Sequence, residues 1–365
     1  MVVNHLSKLR KGRGFGATEL ARAAGVSRQA IHAIESGAFV PNTAVALSLA
    51  SILGVSVEEL FSIEDPVSGS TRRIRATAFH GLPPARSPLV RLCQVSGRTL
   101  AVPAEAEEFH LPDSDGMVVG SSKEGPVDVE LWGDWKSGRQ ILIAGCDPAV
   151  TVLHQGLNAA GVDLIPWNCN SSQSLQLLKE RQAHIAGCHL VDETGQQNLG
   201  AVHSLFRSAE VSVVTFAAWE QGIVVARGNP SGIRQISDLA EPGIKIRNRE
   251  RGSGSRILLD RLLEKACVPT ALVTGYDSLA AGHLAAARAV SVGEANCCIA
   301  TRAAARVFSL DFIPLIQERY DFVILKKTLR EPGVESCLDL LNRASLRREL
   351  EAFAGYETSS TGKTV

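Results

Sequence analysis

Apolar residues along the first sixty positions recur at helical spacing. Residues 18–24 place Leu20, Ala21 and Ala24 on one face. Gly25 then breaks the helix, because glycine alone takes positive φ at no steric cost. Ser27 sits where an N-cap belongs, and residues 28–36 follow with Ile31 and Ile34 inward. Gly37 ends that element. Pro41-Asn42-Thr43 opens another helix that runs to Leu53 and closes at Gly54. Ser56 and Glu59 stand at capping-box spacing over a short helix at 56–61. This segment, residues 1–63, is predicted to be all-α.

The pattern then changes twice. Residues 64–136 carry Pro66, Pro83, Pro84, Pro88, Pro103, Pro112 and Pro126 among many Gly and Ser. Residues 89–102 alternate around Ser96-Gly97 as a β-hairpin does, and 116–120 and 127–132 read as further short strands. We expect a small β connector, with Asp113, Asp115 and Glu124 as loop residues rather than metal ligands. From 137 to 356 short apolar runs alternate with helical patterns. Strands are predicted at 140–144, 164–165, 184–190, 211–216, 222–227, 243–247, 294–300, 312–316 and 320–325. Helices are predicted at 148–160, 170–181, 255–266, 278–292 and 301–307, with a closing helix at 334–353. Such alternation implies a mainly parallel sheet covered on both faces. The polar residues 357–365 read as a disordered tail.

Composition adds limits. Hydrophobic residues make up 45% of the 365 positions and aromatics 5%, which favours α/β packing over an aromatic-rich sandwich. Thirty-eight basic residues balance thirty-eight acidic ones, so a uniformly basic nucleic-acid coat is excluded while a local patch is not. Such a patch exists. Residues 1–32 hold Lys8, Arg10, Lys11, Arg13, Arg22 and Arg28 against the single acid Glu19, an excess suited to phosphates. No apolar segment resembles a signal peptide or a membrane span, so a cytoplasmic protein with no membrane partner is expected. The eight cysteines form no CxxC pair. They read as mostly buried thiols in a reducing compartment, and no metal site is expected through them, since no ligand spacing is present. Cys297 and Cys298, adjacent on a strand, must point to opposite faces.

The amino-terminal run Thr18-Glu19-Leu20-Ala21-Arg22-Ala23-Ala24-Gly25-Val26-Ser27-Arg28-Gln29-Ala30-Ile31-His32-Ala33-Ile34-Glu35-Ser36-Gly37, with Pro41 and Leu53-Gly54-Val55 after it, resembles the Cro/cI (XRE)-type helix-turn-helix family. The resemblance implies a recognition helix at 27–36 lying in the major groove of double-stranded DNA. Its first turn presents Ser27, Arg28 and Gln29, with His32 one turn on; Arg reads guanine and Gln reads adenine in a bidentate manner. Thr18 and Asn42 complete the DNA-binding set, Asn42 through its side chain and the amides of a helix start.

In the large segment three strand-to-helix junctions carry small polar residues: Gly145-Cys146-Asp147, Asn170-Ser171-Ser172 and Gly252-Ser253-Gly254-Ser255. Helix amino termini offer unpaired N–H groups, serines add donors without bulk, and glycine admits close approach. Together they describe an anion pocket at the carboxyl ends of strands. With Ala183-His184-Ile185-Ala186-Gly187-Cys188-His189-Leu190, Glu220-Gln221-Gly222, Asn248-Arg249-Glu250-Arg251-Gly252-Ser253-Gly254-Ser255-Arg256, His283-Leu284-Ala285-Ala286-Ala287 and Gly293-Glu294-Ala295-Asn296, these residues resemble type II periplasmic-binding-protein-like domains, in the branch related to molybdate- and tungstate-binding domains. Asn296, where the family has Asp, and Cys297-Cys298, in place of smaller residues, depart from the pattern.

The resemblance implies a multidomain chain: helix-turn-helix head 1–63, β connector 64–136, and a two-lobed α/β domain 137–356 with one lobe at 137–222 plus 320–356 and the other at 223–319. Ligand contacts are expected from Cys146, Asp147, Ser171, Ser172, Ser253, Gly254, Ser255 and Arg256. Asp147, which would repel an oxyanion, more readily caps its helix. Arg249, Arg251 and Arg256 can supply charge or face solvent; His189 and His283 can orient a ligand or be satisfied core histidines. The expected function is a cytoplasmic transcription regulator, a homodimer on DNA, that responds to a small oxyanion such as molybdate or tungstate or to a related molecule, with no other cofactor, no metal and no catalysis. The alternatives are an enzyme acting on a small anionic substrate under a regulatory head, although Gly252-Ser253-Gly254 falls short of a GxSxG elbow, and a protein-binding scaffold.

Overall fold

The computed structural model describes residues 2–63, 72–81, 89–104, 112–121, 126–191 and 197–365. Pro66, Pro83, Pro84, Pro88 and Glu124 lie outside them. Contacts divide the chain into two compact units, residues 1–71 and 72–365.

The first unit is built as its caps dictate. After β1 (Val2–Asn4) come α1 (Leu6–Gly12), α2 (Ala17–Ala23), α3 (Arg28–Glu35), α4 (Thr43–Leu53), α5 (Val57–Leu60) and β2 (Phe61–Ile63). Ser27 Oγ accepts the Ala30 N–H and Asn42 Oδ1 the Val45 N–H, both at 3.0 Å. Gly54 closes α4 at φ 63°, and Ser56 and Glu59 form the predicted box. Leu6, Leu20, Ile31, Ile34, Leu49, Leu53 and Leu60 are buried together as its core. Two features differ from an all-α reading. β1 and β2 pair antiparallel and tie the two ends of the unit together. Arg10, counted among the phosphate-neutralising residues, is buried: its guanidinium meets Glu35 at 2.6 Å and donates to the Phe15 carbonyl at 2.8 Å, joining α1 to α3.

The second unit begins with a closed five-stranded barrel: β3 (Arg73–Ala78), β4 (Leu89–Val95), β5 (Arg98–Pro103), β6 (Gly116–Ser121) and β7 (Val127–Leu131), in the order β3-β5-β4-β6-β7. The predicted hairpin is β4–β5, turning on Ser96 and Gly97, both at positive φ, as a two-residue hairpin turn requires. The barrel is more than a connector. Phe79, Cys93, Val95, Leu100 and Val102 share one buried cluster with Leu142, Ala144, Ile165, Leu177 and Ala183 of the α/β domain.

That domain continues with β8 (Gln140–Gly145), a 3-10 turn (Pro148–Val152), α6 (Leu153–Ala159), β9 (Asp163–Asn168), α7 (Ser171–Lys179), β10 (Ile185–Cys188), α8 (Leu199–Leu205), β11 (Val211–Val225), β12 (Ile246–Arg249), α9 (Gly254–Lys265), β13 (Leu279–Ala280), α10 (Gly282–Ser291), β14 (Cys297–Thr301), α11 (Arg302–Val307), β15 (Asp311–Leu325), α12 (Pro332–Leu341), α13 (Ala344–Ala352) and β16 (Tyr356–Glu357). The strands form one sheet in the order β13-β12-β14-β11-β15-β10-β8-β9, with β16 on β11. Separate cores lie on its two faces in each lobe. Cys297 enters one of the second lobe's cores and Cys298 the other, as strand alternation requires.

Four expectations are corrected. The strands predicted at 211–216 and 222–227 are one strand, β11, and those at 312–316 and 320–325 are one strand, β15. The two pair antiparallel over their whole length, with register shifts between Thr215 and Ala217 and between Gln221 and Gly222. The sheet is therefore mixed: β8 pairs β9 and β10 in parallel, and β12 pairs β13 and β14 in parallel, whereas β11 and β15 run against their neighbours. The closing helix is two helices, α12 and α13. Residues 357–365 are ordered: Thr361 Oγ1 donates to the Phe216 carbonyl at 2.7 Å, Thr364 bridges Val214, and the Val365 N–H reaches the Val213 carbonyl at 2.9 Å. Polar side chains suggested disorder there, but the segment is held through its backbone, which composition does not report.

Candidate functional site

In the helix-turn-helix unit, Thr18, Ser27, Arg28, Gln29, His32 and Asn42 are all exposed. Ile31 and Ile34 anchor the opposite face of α3 at 0% and 1% exposure. The first turn of α3 thus presents Arg28 and Gln29 outward from a rigidly packed helix, as groove reading requires. Ser27 and Asn42 spend their side chains on caps, accepting the Ala30 and Val45 N–H groups.

In the α/β domain the eight expected contacts separate into two groups. Cys146 and Asp147, at the carboxyl end of β8, border a cavity of about 620 Å³. Among the described residues its walls include Gly145, Pro148, Asn168, Gly282 and His283, with Arg91 from the barrel. Asp147 caps its own turn, accepting the Ala149 N–H at 2.8 Å, and receives the Tyr356 hydroxyl at 2.6 Å. Burial pushes its carboxyl up to about 6, against these two hydrogen bonds. The amino end of α10, Gly282 and His283, meets the same cavity and has no side-chain cap, so its amides remain available to an anion.

The second group, Ser171, Ser172, Ser253, Gly254, Ser255 and Arg256, does not line that cavity. Ser172 and Gly254, with Asn170, join the two lobes to each other, and the rest are held within the protein. Ser172 Oγ donates to the Gly252 carbonyl at 3.1 Å, and Asn170 Nδ2 to the Arg251 carbonyl at 3.3 Å. Gly254 packs so closely on His189 that a Cβ there would run into the His189 carbonyl. Ser171 Oγ accepts the His189 N–H at 3.1 Å, Ser253 caps α9, and Ser255 Oγ donates to Gln221 Oε1 at 2.6 Å. Among the described residues neither Ser253 nor Ser255 has a base against its hydroxyl: Ser253 Oγ donates to the Glu250 carbonyl and Ser255 Oγ to the Gln221 amide oxygen. Arg256 pairs with Asp260 at 3.1 Å and lies over the Tyr276 ring; Arg249 is buried and pairs with Glu250, while Arg251 is exposed. The serines expected to grip an anion are committed to protein partners, and the open space lies beside them, at Cys146 and His283.

The structure also assembles side chains that no spacing announces. Cys146 Sγ lies 3.2 Å from His189 Nε2 and 3.8 Å from His283 Nε2. His189 Nδ1 meets Glu318 Oε2 at 2.9 Å, and Gln221 Nε2 contacts both. All five are buried. Burial presses the His189 imidazole down, but the Cys146 sulfur and the Glu318 carboxylate raise it to about 10. Burial carries His283 the other way, well below its ordinary value, and the charges of Arg249 and His189 add to this. Glu318 and Gln221 stand midway along β15 and β11, where those strands pass from lobe to lobe.

Comparison with known proteins agrees with this architecture. The family described as a PBP superfamily domain matches residues 155–342, and a helix-turn-helix family matches residues 6–60. The chain is similar to the uncharacterized protein YvgK of Bacillus subtilis (strain 168), at 36% identity over 248 residues, 67% of this chain and 79% of the relative. Over 62 residues, 17% of this chain and 94% of the relative, it is 39% identical to the uncharacterized HTH-type transcriptional regulator MJ0272 of Methanocaldococcus jannaschii. Among solved structures it is similar to the sulfate-binding protein SubI from Mycobacterium tuberculosis H37Rv, with a TM-score of 0.45 and 14% identity over 60% of this chain and 85% of that one. Among the described residues no helix is long and apolar enough to cross a membrane. With half its length matched by that family and a helix-turn-helix ahead of it, the chain belongs to the PBP superfamily, in a form that carries an amino-terminal helix-turn-helix.

Proposed function

We propose that the protein is a ligand-responsive transcription regulator. Its helix-turn-helix reads duplex DNA through Arg28 and Gln29, as a homodimer on paired half-sites. Its α/β domain takes a small anionic molecule between the lobes. The observation that carries this reading is the cavity at Gly145–Pro148 and Gly282–His283. It is bordered by an uncapped helix amino terminus and its volume of about 620 Å³ is in the range of small-molecule sites. That volume exceeds what a bare tetrahedral oxyanion fills. Molybdate or tungstate, implied by the sequence resemblance, is therefore the smallest candidate of a class that extends to larger organic anions. Ligand binding shifts the equilibrium of the lobes only by its differential affinity for their arrangements, and about 1–3 kcal/mol of coupling suffices for a 5–150-fold change in DNA affinity.

The test has two parts. A thermal-shift screen of molybdate, tungstate, sulfate, phosphate and organic anions is expected to find a ligand that stabilises the chain by about 2.7 kcal/mol at a hundred times its Kd. A screen in which none of these shifts the melt refutes the anionic effector. On DNA selected from random sequence, Arg28→Ala is expected to lose about 1–3 kcal/mol of specific affinity and to relax the preference at one base pair. An unchanged footprint refutes the recognition-helix assignment.

A further inference from the structure

Three elements that are far apart in sequence bring one sulfur and two imidazole nitrogens to a point. Cys146 follows β8 and His189 follows β10, both in the first lobe; His283 is the second residue of α10, in the other lobe. Cys146, His189 and His283 each offer one ligand atom within 4.8 Å of the others, Nε2 of each imidazole faces Cys146 Sγ, and each residue is buried. Around tetrahedral zinc, with Zn–S about 2.3 Å and Zn–N about 2.0 Å, a sulfur and a nitrogen ligand stand roughly 3.5 Å apart. The sulfur-to-nitrogen distances here, 3.2 and 3.8 Å, bracket that separation.

The surroundings of His189 match what a metal-bound histidine requires. A ligating imidazole usually gives its other N–H to a carboxylate, which fixes the ring and strengthens the ligand. His189 Nδ1 does so with Glu318 Oε2 at 2.9 Å, and Gln221 Nε2, on an amide itself held by Ser255 Oγ, donates to the same carboxylate. Among the described residues His283 Nδ1 has no partner; its ring is positioned by packing, with Trp219 at 5.3 Å and His189 at 5.5 Å between centroids. One thiolate and two imidazoles form a borderline-soft donor set, suited to zinc or copper rather than to magnesium or calcium. Cys146 and His283 also border the cavity, so a fourth coordination position is reachable from it.

We propose that Cys146 Sγ, His189 Nε2 and His283 Nε2 form a binding site for a transition-metal ion of the zinc class, which ties the first lobe to the second. The ion draws two ligands from one lobe and one from the other, so it favours the closed arrangement. Where closure is the signal, the metal is an effector or a co-effector, and to that extent the inference rests on the regulatory reading above.

The full-length chain, stripped with a chelator, is titrated with Zn²⁺ and with Co²⁺. One equivalent per chain is expected, and the cobalt form should show a thiolate-to-cobalt charge-transfer band beside the ligand-field bands of a tetrahedral ion. Cys146→Ser should abolish the charge-transfer band, and His283→Gln should weaken binding. Glu318→Gln touches no metal and should weaken binding about 10–100-fold, so it tests the site should the Cys146 variant fail to fold. Cys267→Ser, at an exposed thiol, should change nothing. A stripped chain that takes up neither ion in equilibrium dialysis overturns the site, as does a Cys146→Ser chain with the parent's affinity and spectrum. Stoichiometric alkylation of Cys146 that Zn²⁺ does not retard also overturns it, and points to a thiolate nucleophile supported by His189 and Glu318. DNA binding and the anion screen are run on the stripped chain in parallel. Loss of metal uptake with those intact removes the metal site alone, and metal uptake without DNA binding removes the regulator alone.

Discussion

His184 joins the barrel to the sheet, and its chemistry sets a pH limit on the second unit. Its Nδ1 accepts the Leu142 N–H at 2.9 Å, and its Nε2 faces the Gln94 carbonyl at 3.0 Å. These contacts define one neutral tautomer, with the proton on Nε2. A second proton on Nδ1 would point at an amide hydrogen. Cys93 Sγ lies 4.0 Å from Nδ1 and the Glu331 carboxylate 3.5 Å from Nε2. Burial outweighs the hydrogen bond to the Gln94 carbonyl and lowers the imidazole from 6.5 to about 4. Between those two values the unfolded chain holds a proton that the folded chain refuses, so stability is complete above pH 6.5 and declines as the pH falls. At 1.36 kcal/mol per pH unit the full loss is about 3 kcal/mol by pH 4. Urea unfolding followed by tryptophan fluorescence measures it, because all four tryptophans, at 132, 135, 167 and 219, lie in the second unit. His184→Asn keeps an acceptor for Leu142 and cannot titrate. Its unfolding free energy should be lower at pH 7 and flatter between pH 6.5 and 4, by about the same 3 kcal/mol. Parallel pH profiles for the two proteins would refute the reasoning.

Two further outcomes are expected. Glu35→Ala leaves the Arg10 guanidinium buried and unpaired in the helix-turn-helix unit and should cost about 3–5 kcal/mol, whereas the double change Arg10→Met with Glu35→Leu should cost much less; circular-dichroism melts of the two variants decide this, and equal losses would contradict the pairing. Thr361→Val removes the donor to the Phe216 carbonyl and should lower stability by about 1–3 kcal/mol; an unchanged urea midpoint would mean that the terminal segment contributes nothing.

The sequence makes the helical unit legible because its instructions are local. Ser27, Asn42 and the Ser56–Glu59 pair start helices, and Gly25, Gly37 and Gly54 stop them, each within four residues of the backbone groups it serves. The alternation of strands and helices beyond residue 137 is legible for the same reason. What escapes is long-range. Glu220-Gln221 and Gln317-Glu318-Arg319 interrupt apolar runs and so resemble strand ends, yet β11 and β15 continue through them. Trp219 lies opposite Glu318 and Glu220 opposite Gln317 at the lobe crossing. The apparent breaks are the polar floor of the site, and a pair of buried-strand patterns separated by only a few polar residues is the signal that marks it. The Cys146, His189 and His283 cluster spans gaps of 43 and 94 residues, which no spacing rule covers. The serines at 171, 172, 253 and 255 read equally as helix starts and as anion contacts, because a capping hydroxyl and an anion-binding hydroxyl look the same until the partner across the cleft is known.

The two crossing strands are hydrogen-bonded to each other, and this limits how the lobes can move. Separate tethers would let the halves swing independently in several directions. A single laced ribbon resists splaying and shear, and yields where its ladder is already irregular, at the register shifts beside Thr215 and Gln221. Motion of the halves is thereby channelled into one bend-and-twist coordinate. A guest that favours one end of that coordinate has no second direction into which its work can leak.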